Sequence, residues 1–203
     1  MKLLVATKNK KKLNELSEIL SELVELKHIE LISLASFPKI DEVEEIGITF
    51  EENAIQKAVG YAKQTGLLTL AEDSGLSVDV LRGAPGVYSA RFAGPGKNDL
   101  ENCIKVLELM RNVPPKSRNA QFECSIAIAS PDALAGTTQG IVRGRILTEM
   151  RGENGFGYDP LFFYPPFGKT LAEVDFSKKN SISHRRIALE KAQLILAQYL
   201  PLL

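Results

Sequence analysis

The sequence predicts an α/β or α+β protein built on a mixed β-sheet. Three observations carry that prediction. The chain has 203 residues and 44% of them are hydrophobic, enough to bury a sizeable core in one domain or two joined lobes. Short apolar runs alternate with amphipathic helical patterns in the first half. Further on, two strand-like segments follow each other across a turn, which a fully parallel sheet does not contain.

Leu3 to Ala6 is a short apolar run that reads as a buried strand. A helix follows, because Leu13, Leu16, Ile19, Leu20, Leu23 and Val24 recur at three- and four-residue steps. His28 to Leu34 is a candidate second strand, and Phe37 to Ile48 is irregular and acidic. Thr49 with Glu52 three residues on predicts a capping box. Ala54, Ile55, Ala58 and Ala62 give the next helix an inward face, and Gly66 ends it. Leu67 to Ala71 predicts a buried strand that stops at Glu72-Asp73-Ser74-Gly75. Gly83-Ala84-Pro85-Gly86 is a turn. Asn98 and Glu101 mark a helix start, with Leu100, Ile104, Leu107 and Met110 as its inward stripe and Pro114-Pro115 closing it. Phe122, Cys124, Ile126 and Ile128 alternate as in a strand. A turn over Pro131 to Gly136 leads to a partner strand near Gly140 to Leu147. Gly155 to Pro160 is a glycine-rich loop, and the last helix runs from about Ser183 to Tyr199.

The balance of 25 basic and 25 acidic residues argues against a dedicated nucleic-acid binder but allows a local anion site. No apolar run approaches the ~20 residues of a membrane-spanning helix, and Leu3 to Ala6 is too short for a signal-peptide core. Cys103 and Cys124 lack CxxC spacing, and two buried thiols in a reducing cytoplasm are expected.

Four features point to chemistry. The first is Thr7-Lys8-Asn9-Lys10-Lys11-Lys12, between a strand and a helix start. A helix N-terminus carries partial positive charge and favours acids. Four lysines there conflict with that preference unless an anion sits among them, held by backbone N–H groups and ammoniums together. The loop lacks the glycines of a Walker A motif. Taken alone, the run also fits a solvated lysine surface.

The second feature is acidic. Asp41, Glu42, Glu44 and Glu45 cluster before Gly47, and Glu72 and Asp73 stand at the expected strand end. Adjacent carboxylates repel unless a cation lies between them. Oxygen-only donors suit Mg2+, which takes one or two carboxylates plus substrate phosphates. A solvated loop and an Asx-type turn are the plainer readings.

The third is Phe156-Gly157-Tyr158-Asp159, with rings that can stack on a base and a carboxylate that can accept from a base N–H. The fourth is Lys178-Lys179-Asn180-Ser181-Ile182-Ser183-His184-Arg185-Arg186, where cations again crowd an expected helix start. The plainer readings are core aromatics and a capped surface helix.

In this order the features resemble the inosine/xanthosine triphosphate pyrophosphatases, the Ham1-like family. Thr7-x-Asn9-x-x-Lys12, Thr49-Phe50-x-Glu52-Asn53-Ala54, Asp73-Ser74-Gly75-Leu76, Gly83-x-Pro85-Gly86-Val87-Tyr88-Ser89-Ala90-Arg91, Gly155 to Pro160 and Ser183-His184-Arg185 match its motifs across nearly the whole chain. Lys8 stands where many members have glycine, Glu72 where many have aspartate, and Asn154 where glycine is frequent.

The resemblance implies a single domain of two lobes over residues 1–203, with an elongated mixed sheet, flanking helices and a nucleotide cleft between the lobes. It also implies a cytoplasmic homodimer that uses Mg2+ to hydrolyse ITP, dITP or XTP to the monophosphate and pyrophosphate. Carried over by position, Thr7, Lys8, Asn9, Lys10, Lys11 and Lys12 bind the triphosphate and Ser74 contacts substrate. Asp73 is metal ligand and general base. Glu44 or Glu45 is the second metal carboxylate, with Glu44 preferred. Phe156, Gly157, Tyr158, Asp159, Lys179, His184 and Arg185 hold base and sugar. A Maf-like pyrophosphatase with another base preference and a non-catalytic nucleotide sensor are the alternatives.

Overall fold

The computed structural model describes residues 1–23, 29–96 and 98–199. Val24, expected in the first helix, and His28, expected to open the second strand, lie outside the described residues. The chain forms β1 (Lys2–Val5), α1 (Lys10–Glu22), β2 (Glu30–Ser33), α2 (Phe50–Thr65), β3 (Leu68–Val78), α3 (Asp99–Leu109), β4 (Asn119–Ala129), β5 (Leu134–Ile146), β6 (Phe162–Tyr164), β7 (Lys169–Thr170), α4 (Phe176–Asn180) and α5 (His184–Ala197). The strands make one seven-stranded sheet in the order β2-β1-β3-β4-β5-β6-β7. β1 runs parallel to β2 and β3, whereas β6 is antiparallel to β5 and β7. The sheet is therefore mixed, as expected.

Contacts divide the chain into two compact units. The first comprises Met1–Asp73, Cys124–Gly140 and His184–Leu203, and the second Ser74–Glu123 and Ile141–Ser183.

In the first unit the pleat of the sheet sorts the core into two layers, because successive strand residues point to opposite faces. Leu3, Val5, Leu68, Leu70, Cys124, Ile126 and Ile128 pack with Leu16, Ile19 and Leu20 of α1 and with Ala188, Leu189, Ala192 and Leu196 of α5. Leu4, Ala6, Ala71, Ala127 and Ala129 face Ala54, Ala58, Tyr61 and Ala62 of α2. The small residues on both sides of the second layer bring α2 close to the sheet. α2 begins with the predicted capping box of Thr49 and Glu52 and ends at left-handed Gly66, whose N–H donates to the Ala62 carbonyl at 2.9 Å. β4 and β5 join through a tight turn in which Ser130 and Ala133 exchange hydrogen bonds. β5 starts at Leu134, earlier than the predicted Gly140.

In the second unit the Phe122 and Phe162 rings pack at a 39° tilt with centroids 4.5 Å apart, and Val106 and Met110 are fully buried. The buried Arg118 side chain ties the unit together by donating to the carbonyls of Met110, Val113, Ile146 and Leu147.

Three expectations are corrected. β3 does not stop at Ala71 but runs to Val78, so Glu72, Asp73, Ser74 and Gly75 are strand residues. The inward face of α3 is Asn102, Cys103 and Val106 with Met110 beyond, while Leu100 and Ile104 are exposed. Asn102 is drawn inward because its amide accepts from the Ala93 N–H at 2.7 Å and donates to the Ala90 carbonyl at 3.2 Å. Finally, Lys178 and Lys179 do not sit at the start of the last helix but in the last turn of α4, where the helix dipole favours cations.

Candidate active site

The first unit carries a charged centre assembled on β3. Because β3 continues through the acids, its pleat sends Glu72 to the α1/α5 face and Asp73 to the α2 face. Neighbours in sequence thus take different partners, although the Glu72 charge still helps to raise the Asp73 pKa.

On the α1/α5 face, Asn9 caps α1. Its side-chain oxygen accepts from the backbone N–H of Lys11 at 3.0 Å and of Lys12 at 3.2 Å, and the Thr7 hydroxyl accepts from Asn9 N–H at 3.2 Å. The first turn of α1 contains no acid. Lys8, Lys10 and Lys11 are exposed, and Lys8 pairs with exposed Glu42 at 3.0 Å, a contact worth little in water. Lys12 differs. Its ammonium lies 2.6 Å from Glu72 Oε1, and the Glu72 side chain is only 1% exposed. Glu72 Oε2 lies 3.7 Å from Arg185 Nε and accepts a long hydrogen bond, 3.6 Å, from the Cys124 thiol. Arg185 also donates to Glu15 Oε2 at 3.0 Å, in a pair with both side chains buried. Burial opposes the Glu72 carboxylate, but Lys12, Arg185 and Lys57 outweigh it and hold Glu72 ionised, well below the usual carboxylate range.

On the α2 face, Asn53 Nδ2 donates to Asp73 Oδ2 at 3.1 Å. Lys57 Nζ lies 3.4 Å from Asp73 Oδ1 and 3.0 Å from Glu45 Oε2. Burial works against the Lys57 ammonium, yet Asp73, Glu45 and Glu72 prevail and raise its pKa. For Asp73 burial wins, and its pKa stands above the ordinary aspartate value although Lys57 and Lys12 oppose the rise. A carboxylate raised in this way is a stronger base than a free aspartate.

The acidic loop that precedes α2 is strapped along that helix. Backbone N–H groups of Asp41, Val43, Ile46 and Gly47 donate to Gln64, Tyr61, Gln56 and Asn53 respectively. The loop approaches so closely that a Cβ at Gly60 would lie 2.6 Å from a Val43 methyl. This strapping sets Glu45 beside Lys57; both Glu44 and Glu45 are exposed.

The donor set is carboxylate oxygen alone. Asp73 and Glu45 are brought within reach of one ammonium, a cation held between two carboxylates. A hard divalent ion with oxygen ligands fits that chemistry. Among the described residues there is no ready-made cluster of three or more His, Cys, Asp or Glu side chains for a metal. Water or ligand oxygens would complete the shell.

His184, 4% exposed, opens α5. The approach of α5 to β5 demands a glycine, since a Cβ at Gly140 would lie 2.0 Å from the His184 carbonyl oxygen.

The second unit holds the aromatic loop. Gly155 and Gly157 adopt positive φ values of 76° and 62°, which glycine takes without strain. A Cβ at Gly155 would also lie 2.1 Å from Asp159 Oδ2. Asp159 is buried and its Oδ2 accepts from the Phe156 N–H at 2.9 Å and from Lys179 Nζ at 2.7 Å. The Lys179 ammonium lies 4.4 Å from the centre of the Phe156 ring, so one side chain braces both the acid and the ring. Tyr158 is buried and donates to the Ser89 carbonyl at 2.8 Å. The Gly157 peptide is held twice, its N–H by Asp99 Oδ2 at 2.9 Å and its carbonyl by the Cys103 thiol at 3.4 Å. Ser74 is half-buried in β3, next to Gly75, where a Cβ would lie 2.2 Å from Ser89 Oγ.

Sequence reasoning missed Lys57, Glu15, Asp99 and Cys103. Lys57 alone had a legible signal. Asn53 and Lys57 repeat at a four-residue step beside Ala54 and Ala58, so one edge of the buried stripe of α2 is polar.

Residues 3–194 match the Ham1 family. A dITP/XTP pyrophosphatase of Desulforamulus reducens is 53% identical over 196 residues, spanning 97% of this chain and 96% of that protein. Another from Bacillus subtilis is 48% identical over 153 residues, 75% of this chain and 77% of that protein. The solved structure of the Staphylococcus aureus Ham1 protein superposes with a TM-score of 0.86 at 38% identity, covering 98% of this chain and 100% of that one. A HAM1 protein from Coxiella burnetii gives 0.86 at 42% identity, with 98% and 99% covered. The motifs, the mixed sheet and these likenesses agree, and the chain belongs to the Ham1 family.

Proposed function

We propose that this protein hydrolyses the non-standard purine nucleoside triphosphates ITP, dITP and XTP to the monophosphate and pyrophosphate, clearing them from the nucleotide pool. The relatives named dITP/XTP pyrophosphatase support the reaction. The observation that carries it is the pairing of a lysine-bearing helix start with a buried, basic Asp73 in the same unit.

In this reading Thr7, Asn9 and the lysines of the loop, with the backbone N–H groups of α1, grip the polyphosphate. Asp73 orients a water and accepts its proton, with Asn53 and Lys57 fixing the carboxylate. The water oxygen attacks the α-phosphorus, the bond from the α-phosphorus to the bridging oxygen breaks, and pyrophosphate leaves. Lys12 and the α1 dipole offset the charge that develops on the leaving group. Mg2+ is part of the proposal: Asp73 and Glu45 would hold it, Glu45 in place of Glu44 because Glu45 is the acid set beside Lys57 and Asp73. When bound, the ion supplies charge neutralisation and Lewis acidity at the phosphates.

Base selection falls to the loop Phe156 to Asp159 with Lys179, and to His184 and Arg185. A site that donates to the 6-oxo group leaves a buried partner unpaired against adenine's amino group, which costs orders of magnitude in rate. A homodimer and a cytoplasmic setting complete the proposal on the family resemblance. Among the described residues no helix is long and apolar enough to cross a membrane.

Pyrophosphate release with Mg2+ should be far faster from dITP or XTP than from dATP or dGTP. Equal rates on all four would remove the selectivity. A preference for another base would point to a Maf-like enzyme, and no turnover to a sensor. Asp73→Asn should lower kcat by roughly a thousandfold without changing the circular dichroism. Surviving turnover would mean another group is the base.

A further inference from the structure

A chain of alternating charge runs through the α1/α5 face of the first unit: Glu15, Arg185, Glu72, Lys12. Its links are 3.0 Å, 3.7 Å and 2.6 Å. Glu15 is 0%, Glu72 2% and Arg185 3% exposed. Such a chain is not a cheap way to fill a core. Desolvation of buried ions matches or exceeds their mutual attraction, and apolar side chains of equal volume usually serve stability as well or better. Its place in the structure suggests another use, because Lys12 belongs to the phosphate loop and Arg185 to the first turn of α5. Glu72 pairs with both.

Lys8, Lys10 and Lys11 are exposed, and an exposed lysine loses side-chain freedom when it grips a phosphate. Lys12 has lost it already. Its ammonium has three donors. The ion pair with Glu72 holds it in place and leaves donors for phosphate oxygens. The Cys124 thiol, a neutral donor to Glu72 Oε2, fixes the carboxylate without cancelling its charge.

We propose that Glu72 is a positioning residue that pre-aims two cations at the nucleotide, Lys12 at the polyphosphate and Arg185 at the nucleoside end. This rests on the nucleotide reading given above. Glu72 touches no reacting atom. It acts through Lys12 and Arg185, and the strand position that separates it from Asp73 keeps it out of the hydrolytic step.

The test measures binding rather than turnover. Sodium tripolyphosphate, which has no base, is titrated calorimetrically in EDTA into the wild type, Glu72→Gln, Glu72→Asp, Lys12→Ala and the Lys12→Ala/Glu72→Gln double variant. Loss of a pre-aimed, charge-assisted contact predicts a tripolyphosphate affinity about tenfold weaker in Glu72→Gln. Glu72→Asp keeps the charge and should retain most of the affinity. In the Lys12→Ala background Glu72→Gln should change little, since the residue it aims is gone. Titration with dIMP should show a smaller loss in Glu72→Gln, through Arg185. Unchanged or tighter tripolyphosphate binding in Glu72→Gln would show that Glu72 merely stabilises or screens, and additive losses in the double variant would show that it does not act through Lys12. Either result overturns the proposal. If Glu72→Gln does not fold, the same cycle with Glu72→Met, which fills a similar volume without the charge, decides, with additivity again fatal. A wild type that binds tripolyphosphate as described but does not cleave dITP would sink the functional reading and leave the role of Glu72 standing.

Discussion

α1 and α3 begin with the same cap and opposite charge. Asn9 and Asn98 each accept from the second and third backbone N–H of their helix, at 3.0 and 3.2 Å in α1 and 3.0 and 3.3 Å in α3. After Asn98 come Asp99 and Glu101, acids that complement the helix dipole. After Asn9 come Lys10, Lys11 and Lys12, with no acid at all. The α3 start satisfies itself and uses Asp99 to hold the Gly157 peptide. The α1 start has no acid of its own, and Lys8 and Lys12 pair with acids from other elements, Glu42 and Glu72; a polyanion is the ligand proposed for it. One helix start braces a loop, and the other is shaped for a ligand.

Substitutions can break or sharpen that contrast. The largest effect is expected from Lys12→Ala, which should lower kcat/KM for dITP by about a hundredfold, the scale of losing one aimed donor to developing charge. A loss below fivefold would leave the α1 start without the proposed role. Asp99→Ala should act on the loop proposed to select the base. Releasing Gly157 loosens the aromatic loop, so the preference for dITP over dATP should fall by about tenfold, with tripolyphosphate affinity unchanged. If tripolyphosphate binding fell instead, the division between the two helix starts would be wrong. Lys11→Glu tests the dipole itself. Thermal unfolding should show a gain of about 0.3–1 kcal/mol as an acid replaces an exposed cation in the first turn, while KM for dITP rises. A variant that is more stable and binds substrate less well is the signature of a helix start built against its own dipole.

The smallest effect is at Cys103, one turn into α3. Burial pushes its pKa up to about 12, with Asp99 and Asp159 adding to the rise. Iodoacetamide at pH 8 should leave native Cys103 unmodified and should label it in urea. The sign of the linkage follows: the unfolded thiol ionises near pH 9 and the folded one does not, so stability is unaffected below pH 9 and falls as pH climbs toward 12. Tyr158, raised by burial and by Cys103, acts in the same direction.

Elements defined by local chemistry were legible from sequence. The Thr49 capping box, Gly66 as the end of α2, the Asn98 cap and the β4 alternation all lie where residues a few positions apart predict them. Failures occurred where distant residues decide. β3 looked finished at Ala71 because Glu72, Asp73 and Ser74 are poor strand residues in isolation. The cations that make them acceptable come from Lys12, Lys57 and Arg185, all far away in sequence. The stripe of α3 was rotated because Asn102 outbids leucine for the inward position by satisfying loop backbone at Ala90 and Ala93. That Glu45, and not Glu44, pairs with Lys57 follows from the straps to Asn53, Gln56, Tyr61 and Gln64, which the sequence does not reveal. The motifs were readable as a set, but the contacts around their side chains were not.

The run of β3 through its acids has one more consequence, and it concerns parity. Even-numbered positions Leu68, Leu70 and Glu72 face α1 and α5, and odd-numbered Ala71 and Asp73 face α2. A deletion or insertion of one residue before Glu72 would exchange the two faces. It would present the basic aspartate to Lys12 and the ion-paired glutamate to Lys57, with every residue type still present. Length changes in this strand are therefore tolerable only in pairs, a constraint that composition and motif matching would both overlook.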